Sequence, residues 1–196
     1  GLTTQTEYRV LEDKVRLHFG AGWSSGDPDT ASLVPQGSGL QPQLTSDRTD
    51  SQFRFHPDYR VDLILFRNIL SRVQGAYYFK PEASYDFLRD KSGQRLGGSA
   101  GVIWSRASEF IQAPGHARDL GLEIDLSLYF QAKDGILNDE PDQQGGFYSM
   151  LQYGVLFPLG GLSYLPGQVK SYELAGLAAP DTSTAQMLRW WLGIMF

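Results

Sequence analysis

Hydrophobic residues recur at every second position over unusually long stretches of this chain. Over residues 73–87 one face reads Val73, Gly75, Tyr77, Phe79, Pro81, Ala83, Tyr85, Phe87; the other reads Gln74, Ala76, Tyr78, Lys80, Glu82, Ser84, Asp86. Over 120–133, Leu120, Leu122, Ile124, Leu126, Leu128, Phe130 and Ala132 alternate with Gly121, Glu123, Asp125, Ser127, Tyr129, Gln131 and Lys133. Over 15–24, Val15, Leu17, Phe19, Ala21 and Trp23 alternate with Arg16, His18, Gly20, Gly22 and Ser24. Period two means a strand with one apolar face. Weaker strands are expected at 2–8, 99–105, 147–157 and 185–196, with 11–14 as a tight turn. That makes about seven strands.

Strand length separates two readings of this pattern. Strands of globular proteins average about 5–6 residues, whereas a tilted strand needs about 9–11 to cross a bilayer. The segments here run to 10, 14 and 15 residues. Their second face is charged, with Arg16, Glu82, Asp86, Glu123, Asp125 and Lys133. An apolar face turned outward and a charged face turned inward is the pattern of a porin-type wall. A soluble sandwich with one wet face gives the same alternation. The wall reading is preferred for its strand lengths and for the C-terminus. There Leu188, Trp190, Leu192, Ile194 and Phe196 occupy every second position, opposite Arg189, Trp191, Gly193 and Met195. A terminal aromatic on such a strand resembles the β-signal read by the barrel assembly machinery. Trp190, Leu192, Ile194 and Phe196 are its expected residues.

The expected fold is therefore all-β, an antiparallel transmembrane β-barrel in the bacterial outer membrane. The whole chain, 1–196, reads as one barrel domain, the C-terminal portion of a larger one. An odd strand number is unusual for such barrels, and open edges in lipid are costly. A preceding segment or a second chain is therefore expected to complete the wall, and the start at Gly1 without Met or signal peptide reads as a processed or truncated protein. If the last strand ends in the periplasm, residues 26–72 form one long extracellular loop and 11–14 a short periplasmic turn. A spanning strand at 59–70 would put the longest loop on the wrong side. That stretch is predicted to be a short helix or irregular segment in the long outer loop, a candidate lumen constriction.

Aromatics make up 13% of the chain, which suits both interface girdles and a β-core. Formal net charge is -5, so no basic field suggests a nucleic-acid partner. Cysteine is absent, which removes disulfides, thiolate zinc sites and cysteine nucleophiles. No apolar run approaches the roughly 18 residues of a membrane helix.

Catalytic chemistry is not expected. The histidines are His18, His56 and His116, and no neighbour on its strand gives His18 a triad. The acidic run with Asp134, Asp139, Glu140 and Asp142 lacks calcium-loop spacing and reads as a solvated turn, as do Asp27, Asp29, Asp47 and Asp50. Gly97-Gly98, Gly145-Gly146 and Gly160-Gly161 read as turn chemistry, and no phosphate-binding fingerprint is present. Neither metal nor cofactor is expected. Arg16, His18, Lys80, Glu82, Asp86, Glu123, Asp125, Lys133 and Arg189 are the expected pore-lining residues. Their opposite charges would either set a selectivity field or neutralise one another in a stiff wall.

Tyr8-Arg9-Val10-Leu11-Glu12-Asp13-Lys14 followed by Gly20-Ala21-Gly22-Trp23-Ser24-Ser25-Gly26-Asp27 resembles the strand-turn-strand of alginate-export-like barrels. The stretch from Phe53-Arg54-Phe55-His56-Pro57-Asp58 through Tyr59-Arg60-Val61-Asp62-Leu63-Ile64-Leu65-Phe66-Arg67 resembles a signature of a group of deltaproteobacterial outer-membrane proteins. The likeness covers about half the chain. It implies a barrel in outer-membrane lipid. Alginate exporters line their pore with arginine, and this chain departs from them by placing carboxylates beside its cations. The expectation is a porin or exporter-like channel for polar solutes or polysaccharide. The alternatives are a non-conducting scaffold barrel of an envelope-spanning assembly and a soluble β-sandwich binding module.

Overall fold

The structure, a computed structural model, describes residues 1–27, 52–90, 94–132, 146–178 and 180–195. The expected residues Lys133 and Phe196, the acidic run 134–142 and most of the long insertion, 28–51, lie outside the described residues. The chain is all-β. Strands β1 (Leu2–Val10), β2 (Val15–Trp23), β3 (Ala76–Arg89), β4 (Arg95–Ala107), β5 (Asp119–Ala132), β6 (Gly146–Pro158) and β7 (Ala185–Met195) form one antiparallel sheet in chain order. The sheet is not closed: β1 and β7 each pair on one side only.

All seven expected strands are present, and several are longer than their alternation indicates. β4 runs 13 residues, where the sequence pattern marks only 99–105. Its inward positions explain the weak signal, because Ile103 and Ala107 are apolar and fully buried on the otherwise polar face. β3 starts later than residue 73. Gly75 takes a left-handed φ of 54°, and Val73 leaves the strand line to enter the buried cluster. Leu120 also departs from the simple pattern. A register shift at Ser105/Arg106 skips it, and it packs fully buried in the core instead of standing on the open apolar face. The turn between β1 and β2 places Leu11, Glu12 and Asp13 in the left-handed region (φ 53°, 54° and 65°), closed by Lys14 N–H donating to the Leu11 carbonyl at 3.1 Å.

Residues 59–70 add no strand to the sheet. They run irregularly into one π-helical turn, Leu65–Ile69, packed on the polar face. A second helix, α1 (Pro166–Leu174), lies in the 158–184 connection, where the alternation gives no hint of one. Its local signals are Pro166 at the first turn and Gln168, whose side chain accepts from the Leu165 N–H at 3.0 Å.

The inner face divides into two zones. Toward the ends where β2 leaves and β3 enters, Ala76, Tyr78, Ile103 and Leu156 meet Val61, Leu63, Ile64, Leu65, Phe66 and Leu70 in one buried cluster. Each fully buried large side chain there contributes about 1.5–3 kcal/mol. Further along the same strands the inward residues turn polar. Ser24, fully buried, ties the insertion to the sheet. Its hydroxyl donates to the Phe53 carbonyl at 2.7 Å and accepts the Gly75 N–H at 2.7 Å, while Ser108 donates to its carbonyl at 2.6 Å.

The outer face stays apolar and uncovered. Leu17, Phe19, Phe79, Phe87, Leu126, Leu128, Leu188, Trp190, Leu192 and Ile194 are all exposed. One aromatic group, Tyr77, Phe79 and Trp104, packs near one end, with ring centroids 5.8–6.4 Å apart. A second, Tyr85 with Phe87 at 5.5 Å, sits toward the other. Tyr77 and Phe87 are ten residues apart on β3, about 33 Å at the usual strand rise. Between the two groups the outward positions of β3 are Pro81 and Ala83.

Candidate functional site

The polar face borders a cleft of about 580 Å³, reached by side chains of β1 to β6 and by residues 60–63 and 67. Cross-strand register builds it in rows, because directly paired residues share a face. Glu7, His18, Glu82, Gly101, Asp125, Gly154 and Met187 form one row; Arg9, Arg16, Ser84, Ser99, Ser127, Gln152 and Arg189 form the next.

The sequence-expected residues occupy this face in different ways. Arg16, His18, Lys80, Glu82 and Asp125 line the cleft. Arg189 holds its register position on β7, its guanidinium 5.4 Å from the Trp191 ring centre. Asp86 and Glu123 are buried, at 1% exposure each, and border no open space. Trp190, Leu192 and Ile194 project from the outer face and are exposed.

Asp86 belongs to a compact triad near the short hairpin. Arg16 Nη2 donates to Asp86 Oδ1 at 3.3 Å and to the Tyr129 hydroxyl at 2.8 Å, and that hydroxyl donates to Asp86. Tyr129 reaches Asp86 by lying across Gly97, its direct cross-strand partner. Only glycine leaves that space: a Cβ at Gly97 would collide with the Tyr129 hydroxyl and stand 2.7 Å from the Tyr85 carbonyl oxygen. Tyr78 covers Gly22 in the same manner and hydrogen-bonds Tyr59 at 2.5 Å.

Glu123 meets the inserted segment. Its Oε1 accepts from the backbone N–H groups of Leu63 (3.0 Å) and Ile64 (2.7 Å), and its Oε2 from that of Leu65 (2.9 Å). Asp62 takes the next two, from Phe66 (2.7 Å) and Arg67 (3.1 Å). Five consecutive amides at the start of the π-turn are thus satisfied by two carboxylates. Nearby, Lys80 Nζ donates to the Val61 carbonyl at 2.9 Å and pairs with Glu82 at 3.1 Å. Burial, and then the neighbouring Glu123 charge, push the Asp62 carboxyl up to about 8. At neutral pH it is therefore held protonated.

Sequence reasoning assigns no role to Asp62, Arg60, Arg67 or Arg95, all of which border the cleft. The position of Asp62 at the head of an amide-exposing turn was the available signal. Gly154 is a further missed contributor. A Cβ there would lie 3.2 Å from Leu63 Cβ, so its bareness lets the segment seat on the wall. Among the described residues no group of three or more histidine or carboxylate side chains could hold a metal ion, and no helix is long and apolar enough to cross a membrane. Compared with protein-family models, curated proteins and solved structures, the chain matches none.

Proposed function

We propose that this sheet is part of the wall of an outer-membrane β-barrel, and that the barrel forms a channel for polar solutes or polysaccharide narrowed by residues 61–70. The observation that carries this reading is the two-sided sheet. Its outer face is an exposed apolar surface with aromatic groups toward both ends of β3, the arrangement of interface girdles on a lipid-facing band. Its inner face carries a charged, hydroxyl-rich cleft. A soluble protein seldom leaves so large an apolar surface uncovered. Lipid satisfies that surface, and pairing at the β1 and β7 edges, by a further segment or a second chain, satisfies the open backbone.

The cleft offers Ser84, Ser99, Ser127, Gln131 and Gln152 between charges of both signs. Such a lining hydrates polar solutes and exchanges hydrogen bonds with hydroxyl groups. The decisive experiment is single-channel recording of the purified full chain in a planar bilayer, alongside gel mobility with and without heating. Stable conductance steps and heat-modifiable mobility are expected. A protein that stays in the aqueous phase and migrates identically in both states would refute the membrane assignment.

A second reading, a non-conducting scaffold barrel, is favoured by one specific feature: the buried cluster around Leu65, Phe66 and Leu70 fills one end of the inner face. Insertion without conductance would select it.

A further inference from the structure

Residues 61–70 hold their place against the sheet through apolar packing and a small number of polar links: Lys80 Nζ reaches the Val61 carbonyl, Asn68 Nδ2 reaches Met187 Sδ at 3.7 Å, and three backbone amides converge on one residue of β5. The π-turn begins with three backbone N–H groups, at Leu63, Ile64 and Leu65, that have no acceptor within the turn, whose own bonds run from Asn68 and Ile69 to Ile64 and from Leu70 to Leu65. Unpaired amides at a buried helical start need an external acceptor. Glu123 supplies one from the middle of β5, with both oxygens engaged and the side chain almost wholly buried. A carboxylate facing three convergent amides sits in a small anion-binding concavity, so bonds and charge act together.

We propose that Glu123 is the positioning residue of the constriction: its carboxylate holds residues 61–70 against the inner wall, and neutralising it releases the segment and widens the passage. The anchoring follows from the hydrogen bonds alone, whereas the widening rests on the channel reading above.

The chain contains no cysteine, which gives a clean test. Leu63 Cβ stands 3.2 Å from where a Cβ on Gly154 would be, close to disulfide geometry after a small adjustment. In the full-length protein, Leu63→Cys with Gly154→Cys reports whether the segment is seated. The pair is expected to oxidise readily with Glu123 in place, and at least about tenfold more slowly with Glu123→Ala, since three charge-assisted bonds are lost. Glu123→Gln keeps one carbonyl acceptor and the side-chain shape, and is expected to fall between the two. It also serves if the alanine variant does not fold. In bilayers, Glu123→Gln should raise conductance, and closing the disulfide in that background should lower it again. Equal oxidation rates with Glu and Gln at position 123 would overturn the proposal. Unequal rates in a protein that never conducts would keep the anchor and remove the channel.

Discussion

Asp62 makes the seating of the inner segment sensitive to pH, with a defined sign. In an unfolded chain its carboxyl titrates at the ordinary value of 3.8; in the folded protein burial and Glu123 push it up to about 8. Between those two values the folded state binds a proton that the unfolded state has released. Stability therefore falls as pH rises, by up to about 1.4 kcal/mol per unit, and the slope vanishes above roughly pH 8. From pH 6 to 7.5 the loss is up to about 2 kcal/mol. Asp62→Asn removes the titration and keeps a carbonyl acceptor for one of the two amides, at a cost of about 1–2 kcal/mol for the other. The assay is denaturant unfolding followed by tryptophan fluorescence at several pH values between 5.5 and 8.5. The difference between their profiles reports Asp62 together with the carboxyls it interacts with, Glu123 and Asp125. The wild type is expected to lose its advantage steadily over the asparagine variant as pH rises. Parallel profiles, or a wild type that gains on the variant with rising pH, would refute the reasoning.

Three other outcomes follow from particular contacts. Leu70 is fully buried in the cluster, so Leu70→Ala should destabilise by about 2–5 kcal/mol in the same unfolding assay. Gly97→Val should disrupt the Tyr129–Asp86–Arg16 triad through direct collision, costing about 1–3 kcal/mol, and double-mutant analysis with Tyr129→Phe should show the two effects to be non-additive. Leu126 stands exposed midway along the outer face of β5, and if the proposed lipid-facing reading holds, Leu126→Arg should cost about 2–4 kcal/mol when folding is measured into lipid vesicles.

The clearest strands were legible because their outer sides alternate with little interruption, as Leu122, Ile124, Leu126 and Leu128 do on β5. Alternation says less about what an inward residue does. Lys80, Glu82, Glu123 and Asp125 carry the same polar signature in sequence, yet three of them border the cleft while Glu123 is sealed beneath an inserted segment. Its partners are backbone amides 58–60 positions away, and any sequence can offer amides, so no residue type marks the pairing. The upper inner zone was hidden for a related reason. Ala76, Tyr78, Ile103 and Leu156 are apolar where the wall pattern calls for polar, which reads as weak alternation and not as a packing surface. α1 escaped notice because none of its residues is buried, leaving no apolar stripe to find.

These failures share a physical origin that bears on function. A wall that only separated lipid from water would keep one polar inner face from end to end. This chain interrupts that face with apolar residues at one end, places a glycine at 154 where Leu63 needs room, and spends a buried carboxylate on the amides of a non-repetitive turn. Each departure lowers the local consistency of the strand, and all three fall under residues 61–70. Burying Glu123 is costly unless its charge is fully paired, and the amides of that turn are what pair it. The segment and the sheet are therefore mutually dependent: without the turn, Glu123 would lose its three amide donors between its apolar cross-strand neighbours Ile103 and Leu156, and without Glu123 three amides would lose their acceptor. Such reciprocal dependence is expected of an insertion built to stay in one position against the sheet, and it borders the cleft that the proposed channel would use as its passage.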